Sequence, residues 1–187
     1  MKLTIYGDFN CPFSALASAR ADVLLARRSH QIEWRAIQHD TTILADGQPV
    51  VGDTAVAFAA EIATILELSE HDLRLHLVAP PVRSNTALAS AALAAAGDDA
   101  DRLRGRLFAA VWAEGRNLGD PAELRRLHAA DRDVAVASRW QDGFDALSRP
   151  ITPTLVLPDG YISRGLGALT RLADLATAAP YILTYKE

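Results

Sequence analysis

Cys11 is the single cysteine of a 187-residue chain, and it stands where a polar loop meets the start of a helical pattern, with Pro12 beside it and Ser14 three positions on. A sulfur placed there meets unpaired backbone N–H groups and the positive end of the helix macrodipole, both of which favour thiolate over thiol. Ser14 lies within one turn, so its hydroxyl and backbone N–H come round to the same helix end and can donate to the sulfur. The chemistry this permits is nucleophilic attack on a disulfide, leaving a mixed disulfide on the protein. The competing reading is a small apolar filler, because unpaired cysteines are among the most often buried residues. One cysteine excludes an intramolecular disulfide and a cysteine-built zinc site, so a second molecule must supply the other sulfur.

Other polar residues support weaker readings. Asp8 could tune the sulfur or accept a proton, although an Asp in a strand-to-helix loop also serves simply as a turn residue. His39 follows the second strand pattern and could act as a base, with no further triad member identifiable. Arg116 could meet a ligand carboxylate or stay solvated at a helix end. Trp34, Phe58, Phe108, Trp112 and Trp140 read as core or pocket wall. His71, His76 and His128 lack ligand spacing with carboxylates, so no metal is expected.

The elements that must position Cys11 follow from hydrophobic period. Lys2 to Tyr6 alternates as a strand, and a helix runs from Pro12 to about Arg28 with Pro12 at N1. Gln31 to Ile37 alternates again, completing a β-α-β unit whose simplest form is a parallel pair. Residues 40–53 carry turn signals and read as a loop with a small hairpin at Ile43 to Val51. Helical patterns then cover Ala55 to Leu68, a short piece opened by Ser69 with Asp72 three residues on, Asn85 to Ala96, Ala100 to Glu114, Pro121 to Ala130 and Arg132 to Leu147. Asp120-Pro121-Ala122-Glu123 has the form of a capping box. Thr154 to Leu157, a turn at Pro158-Asp159-Gly160, and Tyr161 to Arg164 form a hairpin, and a last helix runs from Leu166 to about Ala178.

The expected fold class is therefore α/β of the α+β mixed kind: a four-stranded mixed sheet interrupted by a large all-helical insertion. Half the residues are hydrophobic, enough for one core, so a single domain over 1–187 is expected, with sheet parts 1–40 and 149–187 and the insertion at about 54–147. The net charge of −4, spread without a basic stripe, points away from nucleic acid. No long apolar run or cleavable leader is visible, which points to a cytoplasmic protein with no membrane partner.

The stretch Tyr6-Gly7-Asp8-Phe9-Asn10-Cys11-Pro12-Phe13-Ser14 resembles the active-site segment of the DsbA-like thioredoxin superfamily, D-F-x-C-P-[aromatic]-C, with Ser14 at the second cysteine. Ser84-Asn85-Thr86 with Ala89 resembles that family's N-T-x-x-A helix opening. Leu107-Phe108 through Glu114-Gly115-Arg116-Asn117-Leu118-Gly119-Asp120-Pro121 resembles its F-x-x-x-x-x-E-G-x-[DN]-[IL]-x-D-P stretch, and Thr152-Pro153-Thr154 its T-P-T segment. The FrnE-type branch is the nearest, with 2-hydroxychromene-2-carboxylate isomerases and kappa-class glutathione transferases as relatives.

The resemblance implies a thioredoxin-like sheet and a cis Pro153 facing the sulfur, with the Thr152 backbone free to pair with an extended peptide or with glutathione. It gives Cys11, Ser14, Thr152 and Pro153 catalytic roles, and places Asp8, Asn10, Pro12, Phe13 and Asn85 at the substrate or thiol. The expected activity is a monothiol thiol–disulfide oxidoreductase resolved by an external thiol. The alternatives are a glutathione-dependent isomerase or transferase of the hydroxychromene/kappa type, and a non-enzymatic peptide-binding module. No covalently bound cofactor is implied. The expected partner is glutathione or another low-molecular-weight thiol or disulfide, or an extended peptide. The oligomeric state stays open, a homodimer being one candidate.

Overall fold

The computed structural model describes residues 1–177. Strand β1 (Lys2–Gly7), helix α1 (Pro12–Ala26) and strand β2 (Gln31–Ala36) form the β-α-β unit, and β1 and β2 pair in parallel with Ile5 opposite Trp34. The sheet is completed after the helical block by β5 (Thr154–Val156) and β6 (Ile162–Arg164), both antiparallel to their neighbours, in the order β2-β1-β5-β6. This is the mixed, thioredoxin-like sheet. Its central strand carries Leu3 and Ile5 with no solvent exposure, as a strand covered by helices must.

Between β2 and β5 lie β3 (Gln48–Pro49), α2 (Asp53–Ser69), β4 (Val82–Arg83), α3 (Ala87–Ala95), α4 (Ala100–Trp112), α5 (Pro121–Arg126) and α6 (Val134–Asp145). Helix α7 (Leu166–Thr177) follows the hairpin; its expected end near Ala178 lies outside the described residues. Helix α1 packs against α2, α4 and α7, which is why its buried residues surround it rather than forming one stripe. Two arginines are drawn into that core. Arg20 reaches Asp72 with Nε at 2.7 Å and Nη2 at 3.1 Å, and donates to the carbonyls of Leu68 and Leu169, tying α1 to the end of α2 and to α7. Arg104, with no exposure, pairs with Asp22 and Asp101, donates to Ser18 Oγ and lies against the Trp34 ring. Both buried guanidiniums are thereby paired.

Four local expectations are corrected. The hairpin at 43–51 does not form: Gln48 and Pro49 pair with Arg83 and Val82 across the insertion, held further by Val50 N–H to Pro81 O. Ser69 opens no new helix, because α2 runs through it and Asp72 is taken by Arg20. Helix α3 begins at Ala87 rather than Asn85, whose side chain accepts from Ala87 N–H in a turn. Asp120 caps α5 through Ala122 N–H, but Glu123 bonds Arg116 and Arg126 instead of closing the box.

Gly7 shows how tightly the sheet is packed beside the site. A Cβ there would stand inside the Trp34 indole, and Trp34 is itself 6% exposed and held by Phe108 and Arg104. Gly7→Ala is expected to lower stability by about 1–3 kcal/mol through overpacking, read as a lower urea midpoint with the slope unchanged. An unchanged midpoint would mean that the indole yields freely.

Candidate active site

The loop from Asp8 to Cys11 is built by hydrogen bonds that bring distant segments to one place. Asp8 is 3% exposed, and its two carboxylate oxygens accept from Asn10 N–H and His39 N–H, each at 2.9 Å. The Asp8 N–H in turn donates to Ser14 Oγ at 3.3 Å. The Asn10 side chain pairs with both main-chain groups of Ser84, donating to its carbonyl at 2.8 Å and accepting its N–H at 2.9 Å. Ser84 Oγ then accepts Leu118 N–H at 2.9 Å. Below the loop, Trp112 Nε1 donates to Phe9 O at 2.8 Å.

Cys11 is the N-cap of α1, at φ −96° and ψ 115°, and Pro12 occupies N1, the arrangement that suits proline because it lacks an N–H. The sulfur is partly buried and lies 3.8 Å from the Thr152 carbonyl oxygen, which accepts its S–H. The Thr152–Pro153 peptide is cis. Ser14, with no exposure, already accepts from Asp8 N–H, so its hydroxyl proton is free for the sulfur.

Electrostatics at the sulfur run against the helix-terminus expectation. Burial pushes the Cys11 thiol above its ordinary value, hydrogen bonds from the Thr152 and Ser14 side chains and from the Ser14 N–H draw it down, and the Asp8 carboxylate raises it again. Desolvation of the anion outweighs these hydrogen bonds. Burial likewise raises Asp8, against the two N–H donors and the nearby His39 and Arg83 charges. For both acids the charged form is disfavoured in the fold. Their contribution to stability is full below the unfolded-state value and falls as pH rises through the folded one.

A cleft of about 560 Å³ opens over the sulfur. Of the expected site residues, Asp8, Asn10, Cys11, Pro12, Phe13 and Thr152 line it. Ser14 lies beneath, and Pro153 follows Thr152 as the cis residue. Asn85 is not brought to it: its amide donates to Ile43 O at 2.7 Å and anchors the 40–53 loop. Arg116 is also elsewhere, engaged with Glu114 and with Glu123 at 3.0 Å. His39 does reach the cleft, edge-on to Phe144.

The opposite wall holds Phe58, expected as core or pocket wall, beside three residues that went unseen in the sequence: Asp53 and Glu61 on α2, and Arg83 on β4. Arg83 pairs with Asp40 at 3.0 Å and with Gln48 Oε1 at 3.1 Å. Its position one residue before Ser84-Asn85-Thr86 was the only available signal. Among the described residues no group of three His, Cys, Asp or Glu is placed to hold a metal, and no helix is long and apolar enough to cross a membrane.

Comparison with known proteins accords with this geometry. Residues 2–137 match the DSBA-like thioredoxin domain family. A structure of 2-hydroxychromene-2-carboxylate isomerase is similar over 93% of each chain, with 22% identity and a TM-score of 0.68. A probable DsbA oxidoreductase from Streptomyces coelicolor is similar over 96% of this chain and 92% of its own, with 18% identity and a TM-score of 0.71. The cytosolic disulfide reductase DsbM from Pseudomonas aeruginosa, solved with GSH, is similar over 94% and 96%, with 18% identity and a TM-score of 0.58. At these identities the likeness is one of fold. No curated protein matches the chain in sequence.

Proposed function

The chain belongs to the DSBA-like thioredoxin domain family, and from that membership we propose that it is a cytoplasmic monothiol disulfide oxidoreductase working with glutathione or a similar small thiol. The observation that carries this reading is the partly buried Cys11 sulfur at the floor of the cleft, 3.8 Å from the Thr152 carbonyl, in a chain with no other cysteine. Cys11 thiolate attacks one sulfur of R–S–S–R′. The Cys11–S–S–R bond forms, the R–S–S–R′ bond breaks, and R′S⁻ leaves with the electron pair. A second thiolate then attacks the R sulfur, forming a new disulfide and returning Cys11 thiolate. Ser14 O–H steadies Cys11 when it is the thiolate and the leaving group.

The raised thiol value sets a direction. A cysteine whose thiolate is not stabilised makes the reduced protein a poor sink, so disulfide reduction is favoured over substrate oxidation. The test is intact mass after equilibration with defined ratios of reduced to oxidised glutathione. A single adduct of one glutathione on Cys11, removed by excess reduced thiol, is expected; no adduct at any ratio sinks the reading.

The pH profile offers a separate check. Alkylation of Cys11 by iodoacetamide is expected to be slower at neutral pH than that of a free thiol, with an inflection above the ordinary thiol range of about 8.5. Asp8→Asn removes the neighbouring negative charge and is expected to move that inflection down, speeding neutral alkylation roughly three- to tenfold. An inflection unmoved by Asp8→Asn would show that the carboxyl is neutral there.

The same raised value supports a second reading, in which Cys11 stays a neutral S–H and donates to the thiolate of bound glutathione during an isomerisation or conjugation. Glutathione-dependent turnover of a hydroxychromene that survives Cys11→Ser, with no disulfide exchange in the parent protein, would put this reading first.

A further inference from the structure

We infer that the disulfide attacked by Cys11 is that of a small aminothiol, with an ammonium group a short methylene chain away from its sulfur, and that Glu61 on α2 receives this group. The inference deepens the monothiol reading above and rests on it.

Helix α2 walls the cleft with Asp53, Ala57 and Glu61, spaced i, i+4 and i+8, and with Phe58 beside them. That spacing stacks the three residues along one helix face. Ala57 leaves room between the two acids, whose positions lie about 12 Å apart along the axis. Asp53 stands in the first turn, where the macrodipole offsets part of its charge. Glu61, two turns further on, has no such offset. It is half-buried, and among the described residues no ion pair or hydrogen bond holds it; burial raises its carboxyl, and the charge on Arg83 alone opposes that. A carboxylate drawn partly out of water gains more from a cation than a fully exposed one does.

Two basic residues share the cleft, and neither is committed to Glu61. Arg83 gives Nη2 to Asp40 at 3.0 Å and Nη1 to Gln48 Oε1 at 3.1 Å, so its charge is matched by an acid outside the cleft. His39 is exposed, where water screens it. Between sulfur and acid the lining includes Phe13, Phe58 and Ile151, apolar surface that suits the methylenes of a short aminothiol.

The charge also fits each step of the exchange. Cys11 thiolate attacks one sulfur of the disulfide, the Cys11–sulfur bond forms, the original sulfur–sulfur bond breaks, and one aminothiol leaves as thiolate with the electron pair. An ammonium in the cleft favours the attacking thiolate against the Asp8 carboxylate that opposes it. In the mixed disulfide the retained ammonium balances Glu61. The anionic resolving thiolate then approaches a wall without net repulsion.

The experiment follows adduct formation on Cys11 of the full chain by intact mass, using cystamine, bis(2-hydroxyethyl) disulfide and 3,3′-dithiodipropionate, which are cationic, neutral and anionic. Each rate is divided by that of 2-mercaptoethanol with the same disulfide, to remove intrinsic reactivity. Cystamine is expected to lead and dithiodipropionate to trail, about tenfold or more apart at low ionic strength, with the gap narrowing in sodium chloride. Glu61→Gln should lower the ratio of cystamine to hydroxyethyl disulfide about three- to tenfold, and Glu61→Lys should put dithiodipropionate first. Glu67→Gln removes the same charge from an exposed position of α2 outside the cleft, and should leave the ratio unchanged. No preference for cystamine, a preference untouched by Glu61→Gln, or one lowered equally by Glu67→Gln would overturn this inference and leave the monothiol reading standing. No adduct from any of the three disulfides would sink both.

Discussion

Cys11→Ser is expected to lower thiol–disulfide exchange by at least about a thousandfold, to the solvent background, while raising the melting temperature. The two effects come from different properties of one position. A serine hydroxyl cannot form the sulfur–sulfur bond on which the proposed cycle depends. As the N-cap of α1, however, Cys11 makes no side-chain capping bond, and serine is among the best residues there. Its oxygen is a better acceptor than sulfur for the Ser14 N–H, which also bonds the Cys11 carbonyl at 3.0 Å. That substitution is expected to add about 0.5–1 kcal/mol, or roughly 2–4 °C. Exchange is read with glutathionylated peptide and stability by calorimetry. Undiminished exchange would remove Cys11 from the mechanism, and a loss of stability along with activity would show that the thiol is a packing element after all.

The largest loss of stability from a site residue is expected at Asn10. Its carboxamide occupies both main-chain groups of Ser84, and Ser84 has no solvent exposure. Asn10→Leu leaves a buried N–H and a buried carbonyl without partners, a cost of about 2–4 kcal/mol. Activity should fall as well, because Ser84 adjoins Arg83 on the far wall of the cleft. Asn10→Asp keeps the acceptor and loses the donor, so it should lie between Asn10→Leu and the parent protein. Urea unfolding with an unchanged slope is the measurement. A midpoint within error of the parent would mean that water replaces the carboxamide without penalty. The resemblance implies a substrate contact for Asn10, which lines the cleft, and its hydrogen bonds also make it a strap between the thiol loop and the insertion.

The strands and most helices were legible because their signal is local. Alternation at Gln31 to Ile37 and helical spacing after Pro12 report burial on one face, and burial is what the tertiary structure then supplied. Where local and distant partners competed, the distant ones won. Gln48 and Pro49 carried hairpin punctuation, but Arg83 and the Pro81 carbonyl offered better partners than the loop itself. Asp72 looked like part of a helix start, and a buried guanidinium claimed it. No local pattern encodes such choices, because the competing groups lie dozens of residues away.

The site divides in the same way. By itself the sequence determined that there is one thiol, that it opens a helix with Ser14 one turn on, and that any second sulfur must come from another molecule. These are matters of residue type and short spacing. Only the tertiary structure decided the sulfur's surroundings: the Thr152 carbonyl opposite it, Asp8 beneath it on two backbone donors, and Arg83 with Glu61 across the cleft. The direction of the thiol's shift was decided there too. A helix N-terminus can be read along the chain, but desolvation is the sum of everything packed around an atom, and here it outweighs the hydrogen bonds that favour the thiolate.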